Sequence, residues 1–241
     1  MIPKIIHYCW VGGNPLPPLA KKCIDSWKKY CPDYEIIEWN ETNYDFTKNK
    51  YMRQAYECKK WGFVPDYARL DIIYNNGGIY LDTDVELIKP IDFLLEYKCY
   101  AGMEKIGVVN LGQGFGAEKN SIMIKHMMDD YEHRDFIDKD GIPNLTPSPV
   151  IQTNLLKKHG FIKSDTIQYL DDITIFPVEY FNPINMETGE LLIKSNTISV
   201  HHFAASWESK YNIFRGKVYR FINRNFGYAV ANFIKKIFKK K

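Results

Sequence analysis

The stretch Val64-Pro65-Asp66-Tyr67-Ala68-Arg69-Leu70-Asp71-Ile72-Ile73-Tyr74-Asn75-Asn76-Gly77-Gly78-Ile79-Tyr80-Leu81-Asp82-Thr83-Asp84 compresses a helix, a turn, a strand and an acid pair into one run. A proline opens it and apolar residues fall at 67, 70, 73 and 74, which predicts a helix over 65–75. Asn75-Asn76-Gly77-Gly78 ends that helix as a C-cap and turn. The short apolar strand that follows delivers Asp82 and Asp84 to its end, and in extended backbone residues i and i+2 face one side. Paired carboxylates suit a hard divalent cation such as Mg²⁺ or Mn²⁺, which neutralises a diphosphate while a group departs from it. Asp66 and Arg69, three apart on one helical face, reach a single ligand and orient each other.

Outward from this run, Lys4 to Trp10 reads as a buried strand, Leu16 to Tyr30 as an amphipathic helix and Glu35 to Trp39 as a second strand. Such a β-α-β opening predicts a right-handed crossover and a nucleotide site at the strand ends. Further helices are expected over 50–61, Ser121 to Glu132 and 150–158, and further strands over Val85 to Ile88, Tyr97 to Met103 and Gly112 to Ala117. With 241 residues, 45% of them apolar, and no repeat or low-complexity linker, the body is expected to form a single α/β domain. Five cysteines without a Cys-x-x-Cys pair read as reduced thiols, and the absence of a basic leader before an apolar run argues against secretion. A cytoplasmic setting is expected.

The opening Ile2-Pro3-Lys4-Ile5-Ile6-His7-Tyr8-Cys9-Trp10-Val11-Gly12-Gly13, the Asp-x-x-Arg of Asp66 to Arg69, the Gly-Gly-Ile-Tyr-Leu-Asp-Thr-Asp run and a late His201-His202-x-x-x-Ser206-Trp207 together resemble glycosyltransferase family 32. That family comprises sugar transferases with a DXD motif, capsular polysaccharide and O-antigen enzymes among them, and is related to the large glucosylating toxins. The resemblance runs from residue 2 to about residue 207 and implies a GT-A type domain over 1–208: a Rossmann-like central mixed sheet flanked by helices. It also implies transfer of a hexosyl group from a nucleotide-diphosphate sugar to a glycan or lipid-linked oligosaccharide hydroxyl, with retention, in surface polysaccharide synthesis. A UDP-sugar is the preferred donor, with a guanosine form as the alternative, and Mn²⁺ or Mg²⁺ the expected ion.

By the same resemblance Trp10 would stack on the nucleotide base, with Val11, Gly12 and Gly13 letting backbone approach it. Asp66 would accept from sugar hydroxyls, Arg69 would lean on sugar or diphosphate, and Tyr80 would contact the donor. Asp84 would be the direct metal ligand, while Asp82 meets the ribose or reaches the metal through water. A histidine of the late motif would be a further ligand, His202 first and His201 second, because neighbouring strand residues face opposite sides. Ser206 and Trp207 would close over the diphosphate. Asn110, Gln113 and Gln152 are further candidates for lining the pocket. One departure is Thr146-Pro147-Ser148-Pro149, where many members carry Thr-Gly-Pro.

Two other kinds of protein share some of these features. A haloacid-dehalogenase-type phosphatase also places Asp-x-Asp after an apolar strand, but it wants Thr or Val where Glu86 stands. A catalytically silent module that binds nucleotide sugar or membrane would keep the same residues without turnover.

The net charge of +3 conceals an asymmetry. Ten Lys and Arg follow Glu208 with no acid among them, which leaves 22 basic against 29 acidic residues, a net −7, in the preceding body. Within the tail Ile222, Phe226, Ala229, Val230, Phe233, Ile237 and Phe238 recur at three- to four-residue spacing. Residues 209–241 are therefore expected to form a separate basic amphipathic helix on an anionic membrane surface, peripheral at the inner face, rather than a nucleic-acid-binding element.

Overall fold

The computed structural model describes residues 1–204 and 210–232. In chain order the elements are β1 (Ile5–Cys9), α1 (Pro18–Tyr30), β2 (Glu35–Trp39), α2 (Lys50–Glu57), α3 (Pro65–Asn76), β3 (Gly78–Tyr80), β4 (Val85–Leu87), β5 (Cys99–Lys105), β6 (Val108–Ala117), α4 (Ile122–Glu132), α5 (Ser148–Lys158), β7 (Gln168–Leu170), β8 (Ile173–Phe176), α6 (Val178–Phe181), β9 (Ser199–His201) and α7 (Lys210–Phe226). Seven strands form a mixed sheet in the order β2-β1-β3-β6-β5-β8-β7, and β4 pairs with β9 in a separate two-stranded sheet. The α/β class expected from the sequence is the class the chain adopts.

Helices cover both faces of the main sheet. One apolar cluster joins α2, α3, α4 and α5 to the sheet, and a second fills the space between the sheet, α1 and β4. β1 is parallel to both β2 and β3, so the β-α-β opening and the crossover through α3 set the ends of β1 and β3 side by side. α1 carries β4 directly: Trp27 Nε1 donates to the Val85 carbonyl at 2.7 Å and Leu87 N donates to Ser26 Oγ at 2.9 Å. The short loop between β3 and β4 is thereby held from both sides.

The turn before β3 rests on a buried histidine. Trp39 Nε1 has only a hydrogen to give and lies 3.0 Å from His7 Nδ1, so Nδ1 accepts and Nε2 carries the proton donated to the Gly77 carbonyl at 3.0 Å. Gly78 sits at φ +100°, and a Cβ there would stand 2.8 Å from both His7 Nε2 and the Ile5 carbonyl. Glycine is the residue that fits. Burial holds the His7 imidazole neutral, down at about 4 from an ordinary 6.5. The unfolded chain therefore takes up the extra proton between those values, and stability should fall as pH drops from about 6.5 to about 4, by about 3 kcal/mol. Urea unfolding at pH 7.5 and 4.5 should show this slope, and His7→Gln should flatten it.

Several expectations are corrected. Asp82 and Asp84 do not lie in extended strand: β3 ends at Tyr80, and Val85 N donates to the Asp82 carbonyl at 3.0 Å across a turn. Pro147 and Pro149 flank the start of α5, which begins at Ser148 instead of the expected 150, as proline's fixed φ allows in a first helical turn. The predicted tail stripe is interrupted, because α7 ends at Phe226 and Gly227 turns the chain at φ +83°. The expected domain boundary at 208/209 lies outside the described residues.

Candidate active site

α3 begins at Pro65, which fixes its first turn and brings Asp66 and Arg69 inward, both nearly fully buried. Arg69 Nη2 donates to Asp66 Oδ1 at 2.8 Å, its Nε donates to the Pro65 carbonyl at 2.9 Å, and its Nη1 lies 3.6 Å from Asp82 Oδ2. The guanidinium also lies 5.3 Å above the centre of the Tyr80 ring. One planar fork thus ties the helix to the first acid of the pair. Burial pushes Asp66 up to about 6 against the pull of Arg69, and burial likewise raises Asp82.

The second acid is held from the other end of the chain. His201 Nε2 lies 3.3 Å from Asp84 Oδ1, Ala204 N donates to Asp84 Oδ2 at 2.8 Å, and His202 N donates to the Asp84 carbonyl at 2.9 Å. Burial alone would raise Asp84, but the His201 charge, the His201 contact and the Ala204 N–H outweigh it and hold the carboxyl at about 2. Ligand atoms of Asp82, Asp84 and His201 all lie within 4.8 Å of one another. His201 Nδ1 is buried and has no hydrogen-bond partner among the described residues. Two carboxylates and an imidazole nitrogen form a donor set that a divalent cation fits.

The preference between the histidines is reversed. His202 turns to the opposite side, where its Nε2 lies 2.8 Å from Glu86 Oε2, and Lys22 Nζ donates to the same oxygen at 2.7 Å. His201 is the one that faces the acids. The sequence offered no residue-type signal for this choice; it follows from the antiparallel pairing of β4 with β9, in which Val85 stands opposite His201.

The remaining candidates separate into groups. Trp10 directly follows β1 and donates its indole N–H to the Asn14 carbonyl at 2.5 Å, next to Cys9, whose thiol feels both Arg69 and Asp82. Val11 is buried, and the close approach that Gly12 permits is to the Trp61 indole, 2.8 Å from where a Cβ would stand. Gly12 N donates to Glu41 Oε1 at 2.7 Å. Tyr80 is buried core, packed on Phe115 beneath Arg69, so it supports the site from below. Ser206 and Trp207 lie outside the described residues.

On β6, Asp82 N donates to the Gly112 carbonyl at 3.0 Å, and a methyl group at Gly112 would overlap the Asp82 carboxylate. This glycine, which was read only as a strand start, is what lets the acid lie against the sheet. Asn110 Oδ1 accepts from Gly112 N at 2.7 Å and its Nδ2 donates to Glu104 Oε2 at 3.0 Å. Gln152 Oε1 accepts from Leu111 N at 3.2 Å. Gln152 Nε2 and both amide atoms of Gln113 are buried without a partner among the described residues.

Residues 17–101 match the family model described as glycosyltransferase sugar-binding region containing DXD motif. Inositol phosphoceramide mannosyltransferase 3 of Schizosaccharomyces pombe is 33% identical over 127 residues, 47% of this chain and 33% of that protein. An uncharacterized glycosyltransferase, L373, of Acanthamoeba polyphaga mimivirus is 26% identical over 77% of this chain and 75% of its own length. These matches support a glycosyltransferase. The chain spans about a third of the length of the mannosyltransferases it matches, 33% and 37% for the first two. Among solved structures, PaToxG glycosyltransferase shares 19% identity at a TM-score of 0.48, covering 65% of this chain and 69% of that one. A glycosyltransferase involved in glycosylation of the major capsid of PBCV-1 shares 13% identity at a TM-score of 0.47, covering 84% and 94%.

Proposed function

We propose that this chain is a metal-dependent hexosyltransferase that moves a sugar from a nucleotide diphosphate, UDP-linked by preference, to a hydroxyl of a glycan or lipid-linked acceptor. The observation that carries the reading is the convergence of Asp82, Asp84, His201 and Arg69 from three separate parts of the chain. Asp84 and His201, with Asp82 directly or through water, would hold Mn²⁺ or Mg²⁺, which supplies charge neutralisation of the departing diphosphate. Arg69 adds a fixed cation beside that charge at no cost of reorganisation, because Asp66 and the Pro65 carbonyl already orient it. Asp66, buried next to it, would accept from sugar hydroxyls.

Retention at the anomeric carbon and a role in surface polysaccharide synthesis are part of the proposal, as is a base-stacking role for Trp10 at the end of β1. The names of the mannosyltransferase relatives support a hexosyl donor and a lipid-linked acceptor. The five free cysteines, four of them buried, support a reducing cytoplasmic setting.

Incubation with Mn²⁺ and a panel of UDP- and GDP-sugars tests the reading. Release of nucleoside diphosphate from one donor, abolished by chelation and restored by Mn²⁺, is the expected outcome. Donor binding without turnover, even with acceptors present, would mark a silent binding module instead. Inorganic phosphate released from sugar phosphates would mark a phosphatase.

A further inference from the structure

α7 meets the body through its polar and small side. Asn223 Nδ2 donates to the Glu187 carbonyl at 3.0 Å, Arg224 Nε stands 3.7 Å from Glu190 Oε1, and the Arg220 stem lies against Gly189. Tyr211, Phe214, Val218 and Phe221 recur at spacings of three and four residues, which puts them on the other side of the helix. Phe214 and Phe221 are 64% and 63% exposed and Tyr211 is 60% exposed. A helix packed on a protein core buries such a stripe; this one turns it outward.

Charge follows the same side. Lys217 and Arg215 flank the aromatic stripe in the helical projection, and the chain after Glu208 holds no acid against its ten basic residues. At and past the helix end Phe226, Tyr228 and Val230 remain exposed, and the loop that receives α7 adds half-exposed Leu191, Leu192 and Ile193. Scattered apolar residues on a surface need no explanation, but a ridge of aromatics with a cationic rim does. A second copy of α7 would bring like charge to this ridge, whereas anionic headgroups complement it. Among the described residues no helix is long and apolar enough to cross a membrane.

We propose that the outward face of α7, built on Tyr211, Phe214 and Phe221 with Arg215 and Lys217 beside them, docks on an anionic lipid bilayer with the aromatic rings at the headgroup level. This goes beyond the sugar chemistry and does not depend on it. The contact is interfacial: apolar rings supply burial and the cations supply electrostatic attraction.

Flotation of the full chain with vesicles of phosphatidylcholine and phosphatidylglycerol at about 7:3 tests this. The protein should rise with these vesicles, stay behind with pure phosphatidylcholine, and be released by high salt. The double variant Phe214→Ser/Phe221→Ser should lower partitioning by about tenfold or more. Arg215→Ser and Lys217→Ser should each lower it about fivefold. Phe214, Lys217 and Phe221 are exposed and Arg215 is half-buried with its guanidinium over the Tyr211 ring, so thermal unfolding and turnover of soluble donor should be unchanged. Failure of the wild-type chain to float with the anionic vesicles overturns the proposal, as does equal flotation of the phenylalanine variant. Self-association lost in that variant, without vesicle binding, would assign the face to a second copy and overturn it equally.

Discussion

Asp84→Asn is expected to lower turnover at least about a thousandfold while the protein still folds. A carboxylate that would hold the cation neutralising a leaving diphosphate is worth about 4 kcal/mol or more to the transition state, which at 1.4 kcal/mol per decade is three orders of magnitude. The shape survives the change, because an asparagine oxygen still accepts from Ala204 N. What is lost is the charge that His201 faces at 3.3 Å. Asp84 is held at about 2 in the folded chain against an ordinary 3.8, so it stabilises the fold above pH 4 and gives up that contribution as pH falls toward 2. Removing it at neutral pH should cost about 2 kcal/mol. Steady-state kinetics across a Mn²⁺ titration, set beside urea unfolding, separates the two effects. Turnover within tenfold of wild type would remove Asp84 from the chemistry.

The largest stability effect is expected at Arg69. Replacement by Met keeps volume but leaves Asp66 and Asp82 without their shared cation, and breaking a buried pair from one side costs about 3–5 kcal/mol. Urea unfolding of Arg69→Met should show a loss of that size, and Arg69→Met/Asp66→Asn should recover part of it, since the stranded charge is then gone. Arg69→Lys preserves the charge but has no fork to reach the Pro65 carbonyl, Asp66 and Asp82 together, so it should fall between the two. If Arg69→Met unfolds within 1 kcal/mol of wild type, the buried network does not hold the site.

Much of this arrangement was legible in the sequence because it is local. A proline start, a 3–4 period and a Gly-Gly stop fixed α3 to within a residue, and the i, i+3 spacing of Asp66 and Arg69 is a property of any helix. β1, α1 and β2 were read for the same reason. The failures have a common physical origin in pairing over long separation. β7 and β8 contain three and four residues, too few to show alternation, and acquire their strand character from neighbours. The acid pair was read as strand, but hydrogen bonds from Val85 N to Asp82 and from Asp82 N to Gly112 bend it into a turn. His201 was ranked behind His202 because register with β4 is invisible in a single chain of letters. Trp39 and His7 support the Gly-Gly turn from 32 residues apart, which no motif announces.

The two-stranded sheet of β4 and β9 has a bearing on biogenesis. It joins the Asp84 loop to a histidine that is translated more than a hundred codons later, at residue 201. The segment that matches the family model, 17–101, thus contains both acids but neither that imidazole nor Trp10. A nascent polypeptide still emerging from the ribosome carries the matched region long before it owns the third member of the Asp82, Asp84 and His201 cluster, which closes only once β9 is made and pairs with β4.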